Sequence, residues 1–172
     1  NNLNGVVKIS GSKNAALAIV SAAIISKENI VLYNVPNIED IRVLLEILNS
    51  IGVEVKYYKE KNKLFINAKN IINNVKTNLV TKLRASYYFM GALLSKFKHV
   101  EMHFPGGCNI GARPIDLHIK GLEALNVKIN DKHGYLSCDG RNMRGGIVNL
   151  DFPSVGATEN IMLAAVLTKG ET

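Results

Sequence analysis

A chain of 172 residues, 47% hydrophobic and 20% charged, can bury a substantial core and has the balance of a globular domain rather than a disordered segment. Its formal charge of +7 implies an anionic partner. The lysines are scattered with no basic block, and tryptophan is absent, which favours a small anionic ligand over nucleic acid. The longest apolar run, Ala15 to Ile25, is too short to span a bilayer and lacks a cationic flank, so the expectation is a cytoplasmic protein with no membrane partner.

The first predicted element is a helix from Lys13 to Ser26, apolar nearly all round, the pattern of a helix buried on every side. A strand from Asn29 to Val35 follows, and Pro36 breaks the chain. Asn37 is then placed to cap a helix with Glu39 and Asp40 in its first turn. Ile41, Leu44, Leu45 and Leu48 form the apolar stripe of that helix, and Gly52 supplies its stop. "VEVKYY" and "KLFINA", separated by a charged turn, predict a hairpin. The same order then recurs: a helix from Lys82 to Lys96, a strand in "HVEMHF", a helix from Ile115 to Leu125, and paired strands in "VKIN" and "GYLSC". "SVGATENI" opens a third helix.

This recurrence is visible in the letters themselves. "AAIISKENIVL", "ALLSKFKHVEM" and "AVLTKGET" align with Ser26, Ser95 and Thr168 each before a lysine, at steps of about 70 residues. The expected units are residues 5–75 and 76–145, with a truncated third at 146–172. The first helix of each unit is its most apolar element, whereas the strands alternate with lysines. That inverts the usual α/β layering. The predicted fold class is therefore an inside-out α/β barrel of repeated helix-strand-helix-strand-strand units with buried inner helices. A start without methionine and an end at "LTKGET" read as a piece of something longer.

The chemistry concentrates in "PGGCNIGARP", from Pro105 to Pro114. Gly106 and Gly107 permit positive φ and close backbone approach, Arg113 offers a bidentate fork for phosphate or carboxylate, and nearby cations can activate the Cys108 thiol. Taken alone, these residues leave open an ordinary surface turn with an inert cysteine. Cys138, at a strand end in "YLSCDG", reads as structural. The helix starts at Lys13-Asn14, near Arg84 and at Ser154 occupy equivalent places in the three units and could converge on one ligand face. The histidines have no zinc-like spacing, so no metal and no cofactor are expected. Tyr87-Tyr88-Phe89 reads as core packing.

"ISGSKNAAL", "LRAS", "PGGCNIGARPIDLHIKGLEALN" and "SVGATENIML", in this order and spacing, closely resemble the amino-terminal half of the enolpyruvyl transferases that act on UDP-N-acetylglucosamine. The resemblance runs along the whole chain. It implies transfer of the enolpyruvyl group of phosphoenolpyruvate to the sugar 3′-hydroxyl with release of phosphate, the first committed step of peptidoglycan synthesis. It implies that Lys13 and Asn14 contact phosphoenolpyruvate, and that Cys108 is the general acid for its methylene carbon. Arg84, Arg113, Pro114, Ile115, Asp116, Leu117, Ser154, Val155 and Gly156 would form the UDP-N-acetylglucosamine site. Phe152 stands where some family members carry a lysine that touches the nucleotide, so Phe152 and Pro153 are not carried over. The resemblance also implies a second domain, absent from this chain, that supplies a carboxylate and an arginine, so the chain alone is expected to be inactive. A non-catalytic relative that binds anions or nucleotide sugars is the alternative, and a basic nucleic-acid-binding domain ranks below both.

Overall fold

The computed structural model describes residues 4–106, 115–132 and 134–172. The chain runs through helix α1 (Lys13–Ala23), strand β1 (Asn29–Leu32), helix α2 (Glu39–Ser50), and the strands β2 (Glu54–Tyr58) and β3 (Lys63–Asn67). A two-residue strand β4 (Asn74–Val75) leads to helix α3 (Tyr88–Phe97), strand β5 (His99–His103) and helix α4 (Asp116–Ala124). Strands β6 (Lys128–Lys132) and β7 (Tyr135–Asp139) and helix α5 (Val155–Ala165) complete it.

Two sheets form, with the same internal order. In the first it is β1-β3-β2 and in the second β5-β7-β6, all antiparallel, so each time the last strand of the unit lies between the other two. β4 adds to the second sheet in parallel with β5. Each sheet buries one face: Leu64 and Ile66 of β3, Val100 and Met102 of β5, and Leu136 and Cys138 of β7 point inward. The alternate residues of β3 and β5 face outward, where Lys76 pairs with Glu101 at 2.8 Å, while Ser137 of β7 is buried on that side too. Period-two alternation over a half-solvated antiparallel sheet is the reason these segments are strands. The predicted hairpin is present, with Asn62 in the left-handed region closing its turn.

α2 lays Ile41, Leu44, Leu45, Ile47 and Leu48 into the core and ends at Gly52, whose φ of +85° needs a residue without Cβ. Asn37 does not cap it. Ile38 occupies that position, and the Asn37 side chain accepts from Arg42 Nε at 3.2 Å instead. α3 lies against α1, α5 and the second sheet, and Tyr88 through Ser95 are all buried. Lys96 ties this helix to the first unit: its Nζ donates to the carbonyls of Ile24, Ser26 and Ala68 at 2.9, 3.2 and 3.0 Å.

The sequence expectation of three helices buried all round holds for α3 alone. α1 leaves Ile19 exposed, and α5 exposes Val155 and Met162, because neither is enclosed by neighbours on both sides as α3 is. The helix expected from Lys82 starts later. Residues Asn78–Lys82 and Arg84–Tyr87 form two 3-10 turns, and Val80, Leu83 and Ser86 enter the core at the spacing of three that such turns require. Among the described residues the two sheets do not close into a barrel; the arrangement is α/β, with the sheets outside and α3 inside. No helix among the described residues is long and apolar enough to cross a membrane.

Candidate functional site

Three segments distant in sequence meet around Tyr87. The 3-10 turn Arg84–Tyr87 places the Arg84 guanidinium 6.0 Å from the Tyr87 ring centroid, a cation-π distance. From α4 the His118 ring lies 4.2 Å from the same ring. From α5, Gly156 sits so close that a Cβ there would come within 2.5 Å of the Tyr87 hydroxyl oxygen. Any larger residue at 156 would require the Tyr87 ring to shift.

The surroundings are strongly polar for so enclosed a place. His118 is buried, and its pKa is lowered to about 4, first by burial and then by Arg84, against the opposing pull of Asp116. Asn160 of α5 is fully buried and faces His118 Nδ1 at 3.3 Å. The Tyr88 hydroxyl donates to the Glu159 carboxylate, and burial first, then this bond, holds the phenol above its ordinary range.

The helix starts are built alike in α1 and α5. Ser12 and Ser154 each cap their helix by accepting the N–H three residues on, Ala15 at 3.4 Å and Ala157 at 3.3 Å. The equivalent start of α3 has no side-chain cap, because the 3-10 turn carrying Arg84 precedes it. Lys13 and Asn14 are exposed on the first turn of α1. The Lys13 ammonium pairs with Asp40 of α2 at 2.9 Å, both side chains more than a third exposed. Such a pair is worth about 0–1 kcal/mol, so an incoming dianion can displace it.

Of the residues expected from the sequence, Arg84, Asp116, Ser154 and Gly156 thus belong to segments that converge on Tyr87, with Ile115 and Leu117 flanking Asp116. Leu117 is buried, so only its backbone can serve a ligand, whereas Val155 is exposed. Lys13 and Asn14 start a different helix, beside Asp40. Cys108, Arg113 and Pro114 lie outside the described residues. Gly106, at the edge of that segment, does not use the positive φ that glycine permits. Its lack of Cβ serves close packing against the Thr81 carbonyl, and its N–H donates to Val80 O at 3.2 Å, which ties Gly106 itself to the turn leading to Arg84.

Sequence reasoning misses Tyr87 and Asn160. It places Tyr87 in the core with its neighbours; Tyr88 and Phe89 are buried, and Tyr87 is half-buried against the same core. The distance of three from Arg84, one 3-10 turn, is the signal that the letters offer. Cys138 is fully buried on β7, where burial raises its thiol pKa to about 12, so it is inert.

The fold and this cluster define a class: repeated α/β units with their sheets outside, in which Arg84, His118 and Gly156 from three segments meet around Tyr87. Residues 1–172 match the family model described as EPSP synthase (3-phosphoshikimate 1-carboxyvinyltransferase), and the chain belongs to that family. It is 47% identical over 171 residues to UDP-N-acetylglucosamine 1-carboxyvinyltransferase 2 of Clostridium tetani, covering 99% of this chain and 41% of that protein. It is 45% identical over 175 residues to UDP-N-acetylglucosamine 1-carboxyvinyltransferase of Finegoldia magna, covering 99% and 41%. Among solved structures, the enolpyruvyl transferase NikO from Streptomyces tendae superposes with a TM-score of 0.78 at 19% identity, over 99% of this chain and 40% of that one. EPSP synthase from Acinetobacter baumannii gives 0.71 at 17% identity, over 96% and 39%. The chain spans about 40% of the length of the curated relatives it matches.

Proposed function

We propose that this chain supplies one side of the active site of an enolpyruvyl transferase that moves the enolpyruvyl group of phosphoenolpyruvate to the 3′-hydroxyl of UDP-N-acetylglucosamine and releases phosphate. The carrying observation is the convergence of Arg84, His118 and Gly156 around Tyr87 from three separate segments, with Asp116 acting on His118, in a chain 47% identical to a protein named for that reaction.

In this reading Arg84, Arg113 and the backbone of Pro114, Ile115, Asp116 and Leu117, with Ser154, Val155 and Gly156, hold the nucleotide sugar. Lys13 exchanges Asp40 for the phosphate of phosphoenolpyruvate, with Asn14 beside it. Cys108 protonates the methylene carbon, which leaves an oxocarbenium-like centre open to the sugar hydroxyl. The hydroxyl passes its proton to a base as its oxygen bonds that centre. Phosphate then leaves as the new methyl group gives up a proton and the enol double bond re-forms, with cationic side chains offsetting the phosphate charge. The remaining groups come from a second domain. The closed inside-out barrel is part of the same proposal: a complete third unit would lay its sheet over the apolar side chains that α5 exposes, as the second sheet lies against α3. Localisation in the cytoplasm goes with these substrates.

The test is phosphate release from phosphoenolpyruvate plus UDP-N-acetylglucosamine by the full gene product beside its Cys108→Ala variant. Sugar-dependent release that falls by about 10² or more in the variant is expected, the size of a general-acid contribution. Nucleotide-sugar binding with no release from folded protein would overturn the catalytic reading in favour of a binding-only relative.

A further inference from the structure

Asn160 has a side chain with a donor end and an acceptor end, and its neighbours decide which is which. The Gly91 backbone N–H lies 3.0 Å from one end and can only donate, so that end is the amide oxygen. The amide nitrogen therefore faces His118 Nδ1 at 3.3 Å, and an NH2 group can only donate. Nδ1 must accept, which puts the ring proton on Nε2. A proton on Nδ1 would set two donors against each other where both residues are buried.

We infer that Asn160 is a positioning residue that holds His118 as the neutral Nε2–H tautomer, so that the ring offers the site a permanent donor instead of a switching cation. This rests on the transferase reading above. It joins three helices through one side chain: α3 by its backbone, α4 by its histidine and α5 by Asn160 itself. The groups around the ring are Arg84 and Tyr87 from the 3-10 turn and Asp116 on its own helix, with the Tyr88–Glu159 pair beyond Tyr87. Burial and then Arg84 disfavour an imidazolium there, and the amide adds a third cause with a direction in space.

Replacing Asn160 by aspartate keeps the shape and reverses the logic. One carboxylate oxygen still accepts from Gly91, while the other now demands a proton on Nδ1. The neutral ring then carries a lone pair on Nε2, and the donor returns only when the ring is protonated.

The experiment is 15N NMR of histidine-labelled full gene product, wild type and Asn160→Asp, with UDP-N-acetylglucosamine Kd measured from about pH 8 to about pH 5. The wild type should show a pyridine-type shift at Nδ1 and a pyrrole-type shift at Nε2, with no titration near the ordinary value of about 6.5. Its Kd should show no titration step assignable to His118. The variant should show a protonated Nδ1 and a raised pKa, and its Kd should weaken about tenfold as pH rises through that pKa, the loss of one hydrogen bond. A wild-type Nδ1–H tautomer, or ordinary titration of His118, would overturn the inference even if the variant does not fold. A flipped tautomer with a pH-independent variant Kd would overturn the positioning role. Should the wild type bind no UDP-N-acetylglucosamine, the transferase reading and the positioning role fall together, while the wild-type shifts still decide the tautomer.

Discussion

His118 is a base held neutral by its surroundings, and the sign of that perturbation fixes how the fold responds to acid. Its pKa in the folded chain, about 4, lies below its ordinary value, so between the two the unfolded chain binds more protons than the folded one. Stability therefore falls as pH drops through that window and reaches its floor below about 4. The full penalty is on the order of 3 kcal/mol. Denaturant titrations at neutral and acid pH should show the wild type losing that much more than a His118→Gln variant; equal losses would mean His118 is solvated. Gly91 gives a second residue-scale outcome. A Cβ there would meet the Asn160 backbone carbonyl and side chain, so Gly91→Ala should cost about 2 kcal/mol or more despite its better helix propensity. Gly5, with open space around it, should tolerate alanine within about 0.5 kcal/mol in the same urea series.

Elements are legible where one period governs the burial. The stripe of α2 and the alternation of β3 and β5 stand in the sequence as they stand in the fold. Where two periods abut, legibility ends. Residues 78–97 run at three per turn and then at 3.6, and both look apolar and helical in the letters, so the sequence starts α3 too early. β4, with two residues, is too short to show alternation at all. Lys96 is legible only as part of a repeated Ser-Lys pair, because its three carbonyl partners come from the chain's return at the ends of α1 and β3. Those partners make an element-scale prediction. Lys96→Met keeps the length and apolar stem but leaves three carbonyls without their shared donor, in a partly buried joint between units. The cost should be about 3 kcal/mol in denaturant midpoint comparisons. A Lys120→Met variant, which among the described residues loses an exposed pair with Asp151, should stay within about 1 kcal/mol.

At the scale of the molecule, the proposed site is divided among units that the chain brings together only by repeating them. Arg84 stands before the second inner helix, Ser154 caps the third and Lys13 starts the first, so a ligand that touches all three reports on the whole assembly. That equivalence can be read from the repeat, but the grouping around Tyr87 cannot, since it depends on Gly156 and Gly121 letting helices approach closely. The chain also spans about 40% of its curated relatives' length, and α5 carries exposed apolar side chains at Val155 and Met162. An enolpyruvyl transfer needs a base for the sugar hydroxyl and a surface that closes over the substrates to exclude water. Lys13, Arg84 and the capped helix starts suit anion binding and supply neither. The 172-residue chain expressed by itself should therefore bind UDP-N-acetylglucosamine weakly and release no phosphate above background from the substrate pair. A polypeptide of the relatives' full length, carrying this segment, should turn over, and adding the remainder as a separate chain should restore part of that activity. Turnover by the isolated chain near the full-length rate would mean that residues 1–172 hold the complete site, and the division of the active site between two domains would be wrong.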